Sequence, residues 1–260
     1  MPNYLELVLA KRPDGEIHIV DVFSLRAGAL QTEALRSSLL PSRVVLEEVN
    51  RRLAPTVFDL YTEGNSAFDD FIDHLLRNRQ READEIFAKN LTPLRRNRRA
   101  HVLRLGVAAQ LGTDAYAQAI RDMEAGFPND PSLLLPKLEV AAAKLDLKGL
   151  LEAVDAIERR VGVDPYLDVV RASAHFSADD LSRARSFAER ATAAEPDLAP
   201  ALWRIVAVAL RQKDFKAVAQ WLSTIEERLG VEIGDLSAVP LYEQFVKSPE
   251  YTRWLEWREK

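Results

Sequence analysis

Three stretches of the chain read as variants of one: DLKGLLEAVDAIERRVG at residues 146–162, DLSRARSFAERATAAEP at 180–196 and DFKAVAQWLSTIEERLG at 214–230. Each opens on an acidic-apolar pair, Asp146-Leu147, Asp180-Leu181 and Asp214-Phe215, and each start lies 34 residues after the last. Each closes on a helix breaker. With Pro128 these breakers, Gly162, Pro196 and Gly230, form a second series with the same step. A fixed period in this range marks stacked supersecondary units, and 34 residues is the length of a helix–turn–helix repeat.

Working outward, the pattern predicts helix pairs at 132–145 with 147–161, 166–178 with 180–194, and 199–212 with 215–229. Upstream, apolar residues at helical spacing predict a pair at 94–111 and 114–126. Before it, a helix capped by Ser66 carries Phe68, Phe71, Ile72, Leu75 and Leu76 on a wide face, with a partner from about 81 to 91. Residues 32–64 read as two short linking helices, capped by Thr32 and Ser42 and stopped by Pro41 and Pro55, with a short apolar piece before Gly64-Asn65.

Residues 1–31 read as a β-hairpin segment. Tyr4 to Lys11 and Glu16 to Ser24 are β-rich runs around the turn sequence Arg12-Pro13-Asp14-Gly15. Strict alternation puts Ile17, Ile19, Asp21 and Phe23 on one face, and His18, Val20 and Val22 on the other. Two strands alone are marginal in water. The hairpin therefore packs on the helices, pairs with another chain, or ends a larger sheet upstream of Met1; the last two are favoured, because its edges are long and mostly uncharged. Residues 231–260 read as a cap. Leu236, Val239, Leu241, Tyr242 and Phe245 precede Ser248-Pro249, and Tyr251, Trp254 and Trp257 follow. An array needs such a terminal element to cover its last apolar face.

The repeats at 65–230 resemble tetratricopeptide repeats. The copy at 165–198 carries the resemblance best. It has small Ala172 on its first helix, Asp180-Leu181 at the turn, Ala184, Ala188 and Ala191 on its second helix, and Pro196 at its close. The copy at 99–128 supplies Leu105-Gly106, Gly112, Tyr116 and Pro128, with a glycine spacing one residue short. The other two copies place Leu138 and Val206 at the small position and close on glycine. From Asp14-Gly15 to Leu40-Pro41 the chain also resembles the end of a curved α+β domain of the cystatin or nuclear-transport-factor-2 type. The reading is a mainly-α, solenoid-like array of helix–turn–helix repeats, with a short N-terminal hairpin and a C-terminal capping helix.

The tetratricopeptide resemblance implies a superhelix whose concave face, built from first helices, receives a peptide. Groove candidates are Leu135 and Glu139; Tyr166, Val169, Val170 and Ser173; and Trp203, Arg204 and Arg211. Chaperone-binding members of the family grip a peptide C-terminal carboxylate with a Lys/Asn/Arg set at these positions. That set is absent here, which argues against such a clamp.

Charge gives a second candidate. Residues 77–104 hold nine arginines and lysines against three acidic residues, on a chain of net charge −5. The run reads first as a solvated turn between helices that answers the acidic second half; as a site, Arg95, Arg96, Arg98 and Arg99 at its centre would suit an acidic protein segment. Nucleic acid is the weaker match, because no aromatic is interleaved to stack a base. Asp70 and His74 are four apart on one helix and read as a surface pair before a metal site. His175 reads as packing.

No Gly-x-Ser-x-Gly, Gly-rich phosphate loop or His-Glu-x-x-His motif is present. There is no cysteine, so thiolate metal sites and cysteine nucleophiles are excluded. No catalytic, cofactor-binding or metal-binding residue is assigned. The N-terminus carries Glu6 in its first apolar run and does not read as a signal peptide. With no long apolar run, the chain reads as soluble, with the cytoplasm preferred. The leading expectation is a non-enzymatic scaffold for a protein or peptide partner, with self-association through the hairpin as a further possibility. Two alternatives stand beside it: a pocket completed by the hairpin around Asp21 and His18, and a nucleic-acid binder using the basic region.

Overall fold

The computed structural model describes residues 4–11, 17–24, 29–30, 70–71, 73–75, 77–89 and 95–259. The chain divides into two compact units, Met1–Lys144 and Leu145–Lys260. The turn at 12–15, the two short helices read at 32–64 and the Ser66 cap lie outside the described residues. No described helix is long and apolar enough to cross a membrane.

The first unit holds a three-stranded antiparallel sheet, β1 (Leu5–Lys11), β2 (Ile17–Ser24) and β3 (Ala29–Leu30), in the order β1-β2-β3. The third strand extends the two-stranded hairpin that the sequence predicts. The register also corrects the strict alternation. Val8 pairs with Asp21 but Leu9 pairs with Ile19, so Val20 is an extra residue in β2. Such a bulge shifts the alternation by one. Directly paired residues share a face. Ile17 and Ile19 therefore lie with Leu5, Leu7, Leu9 and Val22, while Asp21 and Phe23 lie with Glu6 and Val8. The expected set Ile17, Ile19, Asp21 and Phe23 is split between the two faces.

Helical residues at 70–71 and 73–75 precede α1 (Gln80–Lys89), α2 (Arg98–Leu111) and α3 (Thr113–Gly126). A 3-10 turn, Pro131–Leu133, leads into α4 (Leu134–Ala143). Pro136 lies in the first turn of α4, where its missing N–H leaves no helical bond unmade. Phe71, Ala83, Phe87 and Ala100 form one buried cluster. Leu105, Ala108, Ala119, Ile120, Met123 and Leu133 form the next.

The second unit contains α5 (Leu147–Val161), α6 (Pro165–Ser177), α7 (Leu181–Ala194), α8 (Ala199–Gln212), α9 (Phe215–Leu229) and α10 (Pro249–Arg258). Ala172 and Ala188 are fully buried against each other and Ile205, so α6, α7 and α8 approach closely where their side chains are small. Trp254 of α10 is buried in one cluster with Val218, Leu222 and Ile225 of α9, Leu202 and Val206 of α8, and Tyr242 and Phe245.

The period is visible in the backbone. Leu145, Asp179 and Lys213 all have positive φ, 53°, 60° and 58°, and stand immediately before the three repeated aspartates. Asp146, Asp180 and Asp214 each accept the N–H three residues on, from Gly149, Arg183 and Ala217, and so cap the second helix. The N–H groups of Asp180 and Asp214 also reach back to the carbonyls of His175 and Ala209, both at 2.9 Å, which closes the first helix. One residue thus ends one helix and starts the next. The same turn recurs upstream at Asn78, with φ of 59° and the Arg79 N–H on the His74 carbonyl at 2.8 Å, whereas Gly112 is itself the N-cap of α3 and stands 34 residues before Asp146.

Candidate functional site

The solvent-facing row of each first helix follows from helical geometry. Positions i, i+4, i+7 and i+11 share a stripe. On α6 this stripe is Tyr166, Val170, Ser173 and Ser177, and on α8 it is Pro200, Arg204, Ala207 and Arg211, each 34 residues after its counterpart. All eight are at least partly exposed, and α6 packs beside α8. The result within the second unit is a two-helix surface on which the small or apolar Val170, Ser173, Pro200 and Ala207 lie among Tyr166, Arg204 and Arg211. Ser173 donates its hydroxyl to the Val169 carbonyl at 2.8 Å, so the hydroxyl proton is already committed.

Leu135 and Val169, groove candidates by sequence, are instead buried, at 4% and 6% exposure. They occupy the neighbouring row, about 100° around the helix, which turns into the packing seam. Val169 there meets Ala191 and Ala201. Trp203 is the next member of that row and stays 38% exposed. Glu139 is half-buried in the first unit and accepts a hydrogen bond from the Tyr116 hydroxyl at 2.9 Å.

Arg204 and Arg211 both sit over the Phe176 ring, at 5.1 and 5.7 Å from its centroid. Arg211 also pairs with Asp179 at 3.0 Å. Arg204 is different. Its Nε is buried and has no hydrogen-bond partner, and burial pulls its pKa below that of a free arginine. Among the described residues the other buried or half-buried arginines, Arg98, Arg104, Arg171, Arg185 and Arg258, each reach a carboxylate.

Arg171 shows the contrast most fully. Its guanidinium meets Asp155 and Glu158 of α5 at 2.7 Å each and Asp168 on its own helix at 3.1 Å. Burial works against its charge, but these carboxylates outweigh it and raise its pKa above the ordinary value. Asp168 is held from its other side by Arg190 of α7.

The basic region is smaller than its sequence count. Arg98 grips Asp130 through two nitrogens. Burial disfavours the Asp130 carboxylate, yet the hydrogen bonds from Arg98 and Ser132 hold its pKa below the usual range. Arg104 is buried between Asp84 and Asp122 and stacks on Phe87 at 4.4 Å. Lys89 pairs with Glu85 and Arg77 with Asp73. Arg95 and Arg96 remain exposed, and the Arg99 side chain lies outside the described residues. The charge count missed this because the neutralising aspartates at 122 and 130 lie far along the sequence.

The remaining candidates have local roles. His101 is buried between Phe87 and Phe127, with Nε2 3.1 Å from the Arg95 carbonyl, and burial lowers its pKa. His175 stacks on Phe187 at 5.4 Å; its Nδ1 lies 3.4 Å from Asp180 without hydrogen-bond geometry. Asp21 is half-buried and accepts the N–H of Val22 at 2.8 Å. The His18 side chain lies outside the described residues, so the pocket read around Asp21 and His18 rests on the sequence alone.

No protein-family model matches the chain, and no curated protein sequence does. Solved structures do. MamA residues 41 to the end, from Desulfovibrio magneticus RS-1, is similar over 65% of this chain and 96% of its own, at 14% identity and a TM-score of 0.51. PilW, described as a type IV pilus biogenesis factor, covers 74% of this chain and 90% of its own at 12% identity and a TM-score of 0.49. The Pseudomonas aeruginosa protein pilF gives 10% identity, coverage of 73% and 86%, and a TM-score of 0.46. At this identity the MamA likeness speaks to the fold, and it agrees with the repeating turns and caps above: the chain has a tetratricopeptide-repeat fold.

Proposed function

We propose that this chain is a non-enzymatic scaffold that binds a peptide or protein segment on the α6–α8 surface. The observation that carries this reading is the partly exposed run of Val170, Ser173, Pro200 and Ala207, which lies beside the exposed Trp203. Compact side chains there leave room for a ligand backbone, and an exposed tryptophan is a frequent anchor at protein interfaces. The test is selection of binders from a displayed random-peptide library on the full chain. Selected peptides should lose binding to an Ala207→Trp variant whose thermal melting is unchanged. An absence of binders, or binders indifferent to Ala207→Trp, would end this reading.

A second surface has its own observation. Leu5, Leu7, Leu9, Ile17 and Ile19 are each more than half exposed and share one face of the sheet. Contiguous apolar patches of this kind exceed the scattered hydrophobics of ordinary surfaces. The reading is self-association through this face. Sedimentation should show a concentration-dependent dimer that Leu7→Glu with Ile19→Glu abolishes; a monomer at every concentration would refute it.

A further inference from the structure

We infer that Arg204 is the receptor for a side-chain carboxylate, an internal Glu or Asp of the partner segment with apolar neighbours. This rests on the scaffold reading above and names the chemistry that the α6–α8 surface selects.

Arg204 stands outside the ion pairing that serves the other buried arginines. A half-buried guanidinium has lost part of its hydration, and folded chains compensate by giving it an acceptor. Each other such arginine among the described residues has one, and Arg171 has three carboxylates. Among the described residues Arg204 has only the face of Phe176, and its buried Nε has no hydrogen-bond partner. The ring attracts the cation, but it supplies no acceptor for the N–H groups. Arg204 is therefore positioned and left unsatisfied, on the row that faces solvent. Arg211, stacked on the same ring, fills one of its own needs with Asp179, so the local charge still favours an incoming anion.

The surroundings decide which anion. Val170, Pro200 and Ala207 line the row around Arg204 and offer no side-chain hydrogen bond. The Ser173 hydroxyl is donated to the Val169 carbonyl. A chain-terminal carboxylate or a phosphate needs several donors on its oxygens, and among the described residues of this surface Arg204 is the one guanidinium without a carboxylate, Arg211 being paired with Asp179. A side-chain carboxylate can take a forked pair of bonds from that guanidinium while its flanking residues lie on Val170, Pro200, Ala207 and Trp203.

Two peptide libraries with amidated C-termini test this. One carries a fixed central Glu, the other Gln at the same position, with random flanks. A third pool carries the central Gln and a free C-terminal carboxylate. Wild-type chain should retain the Glu pool about tenfold or more over both Gln pools, as expected for a charge-assisted bond. Arg204→Gln should remove the preference, and Arg204→Lys should restore part of it. Equal retention of the Glu and amidated Gln pools would overturn the inference while leaving the scaffold reading intact. Preference for the free-terminus pool, or a Glu preference that survives Arg204→Gln, would also overturn it. Binding of no pool would remove both readings. Melting of Arg204→Met supplies an independent readout. A residue held for a ligand should leave Tm unchanged or raised when replaced, whereas a marked fall would make Arg204 structural and end the proposal.

Discussion

Asp168 gives the sharpest quantitative test of how the second unit is held together. Its carboxylate is buried, 8% exposed, and is held by Arg171 from one side and Arg190 from the other. Replacing either arginine with methionine keeps much of the stem packing while removing the charge. Arg190 is 60% exposed, so Arg190→Met should cost no more than about 1 kcal/mol. Arg171→Met also releases Asp155 and Glu158, but those carboxylates are 55% and 33% exposed and regain water. That loss should be about 1–2 kcal/mol. In each single variant Asp168 keeps one partner. In the double variant it keeps neither, and stripping a buried charge of its partners costs about 3–5 kcal/mol. The loss in the double variant should therefore exceed the sum of the two single losses by about 1–3 kcal/mol. All four tryptophans, Trp203, Trp221, Trp254 and Trp257, lie in this unit, so tryptophan fluorescence during urea unfolding follows it selectively. Additive effects within about 0.5 kcal/mol would refute the idea that the two arginines hold Asp168 jointly.

Further outcomes follow from the same contacts. Trp254→Ala should destabilise the second unit by about 3–5 kcal/mol in urea unfolding, and a loss below about 1 kcal/mol would mean that α10 does not cover the array as described. Asp146→Ala, Asp180→Ala and Asp214→Ala should each cost about 1 kcal/mol, with similar values at the three equivalent caps, measured the same way. Lys213→Gly should stabilise by about 0.5–1 kcal/mol, because its φ of 58° suits glycine better than a side chain; a lower Tm would contradict that. His101 should make the first unit sensitive to acid. Burial lowers its folded pKa, so below its ordinary value of 6.5 the unfolded chain binds the proton first. Its contribution is full above that pH and is lost as pH falls towards the folded pKa. His101→Phe should flatten this part of the stability profile, and an unchanged profile would show that His101 is not its source.

The helices were legible in the sequence because their signals are local. An aspartate that caps, a glycine or proline that stops, and a small residue at a crossing point act within a few residues of where they stand. Repetition every 34 residues made them readable as one unit. The alternating β2 run carried no sign of its bulge, because Val20 is as good a strand residue as its neighbours; only pairing with β1 showed the extra residue. The arginines divide in the same way. In sequence Arg98, Arg104 and Arg204 are equal positive charges. Folding brings Asp130 to the first, Asp84 and Asp122 to the second, and no carboxylate among the described residues to the third. Leu135, Val169 and Trp203 hold equivalent places, yet two are buried and one is exposed. Sequence sets the period of a helix through short-range hydrogen bonds and caps. Burial and charge pairing depend on which distant element arrives opposite each side chain, and the tertiary structure alone decides that.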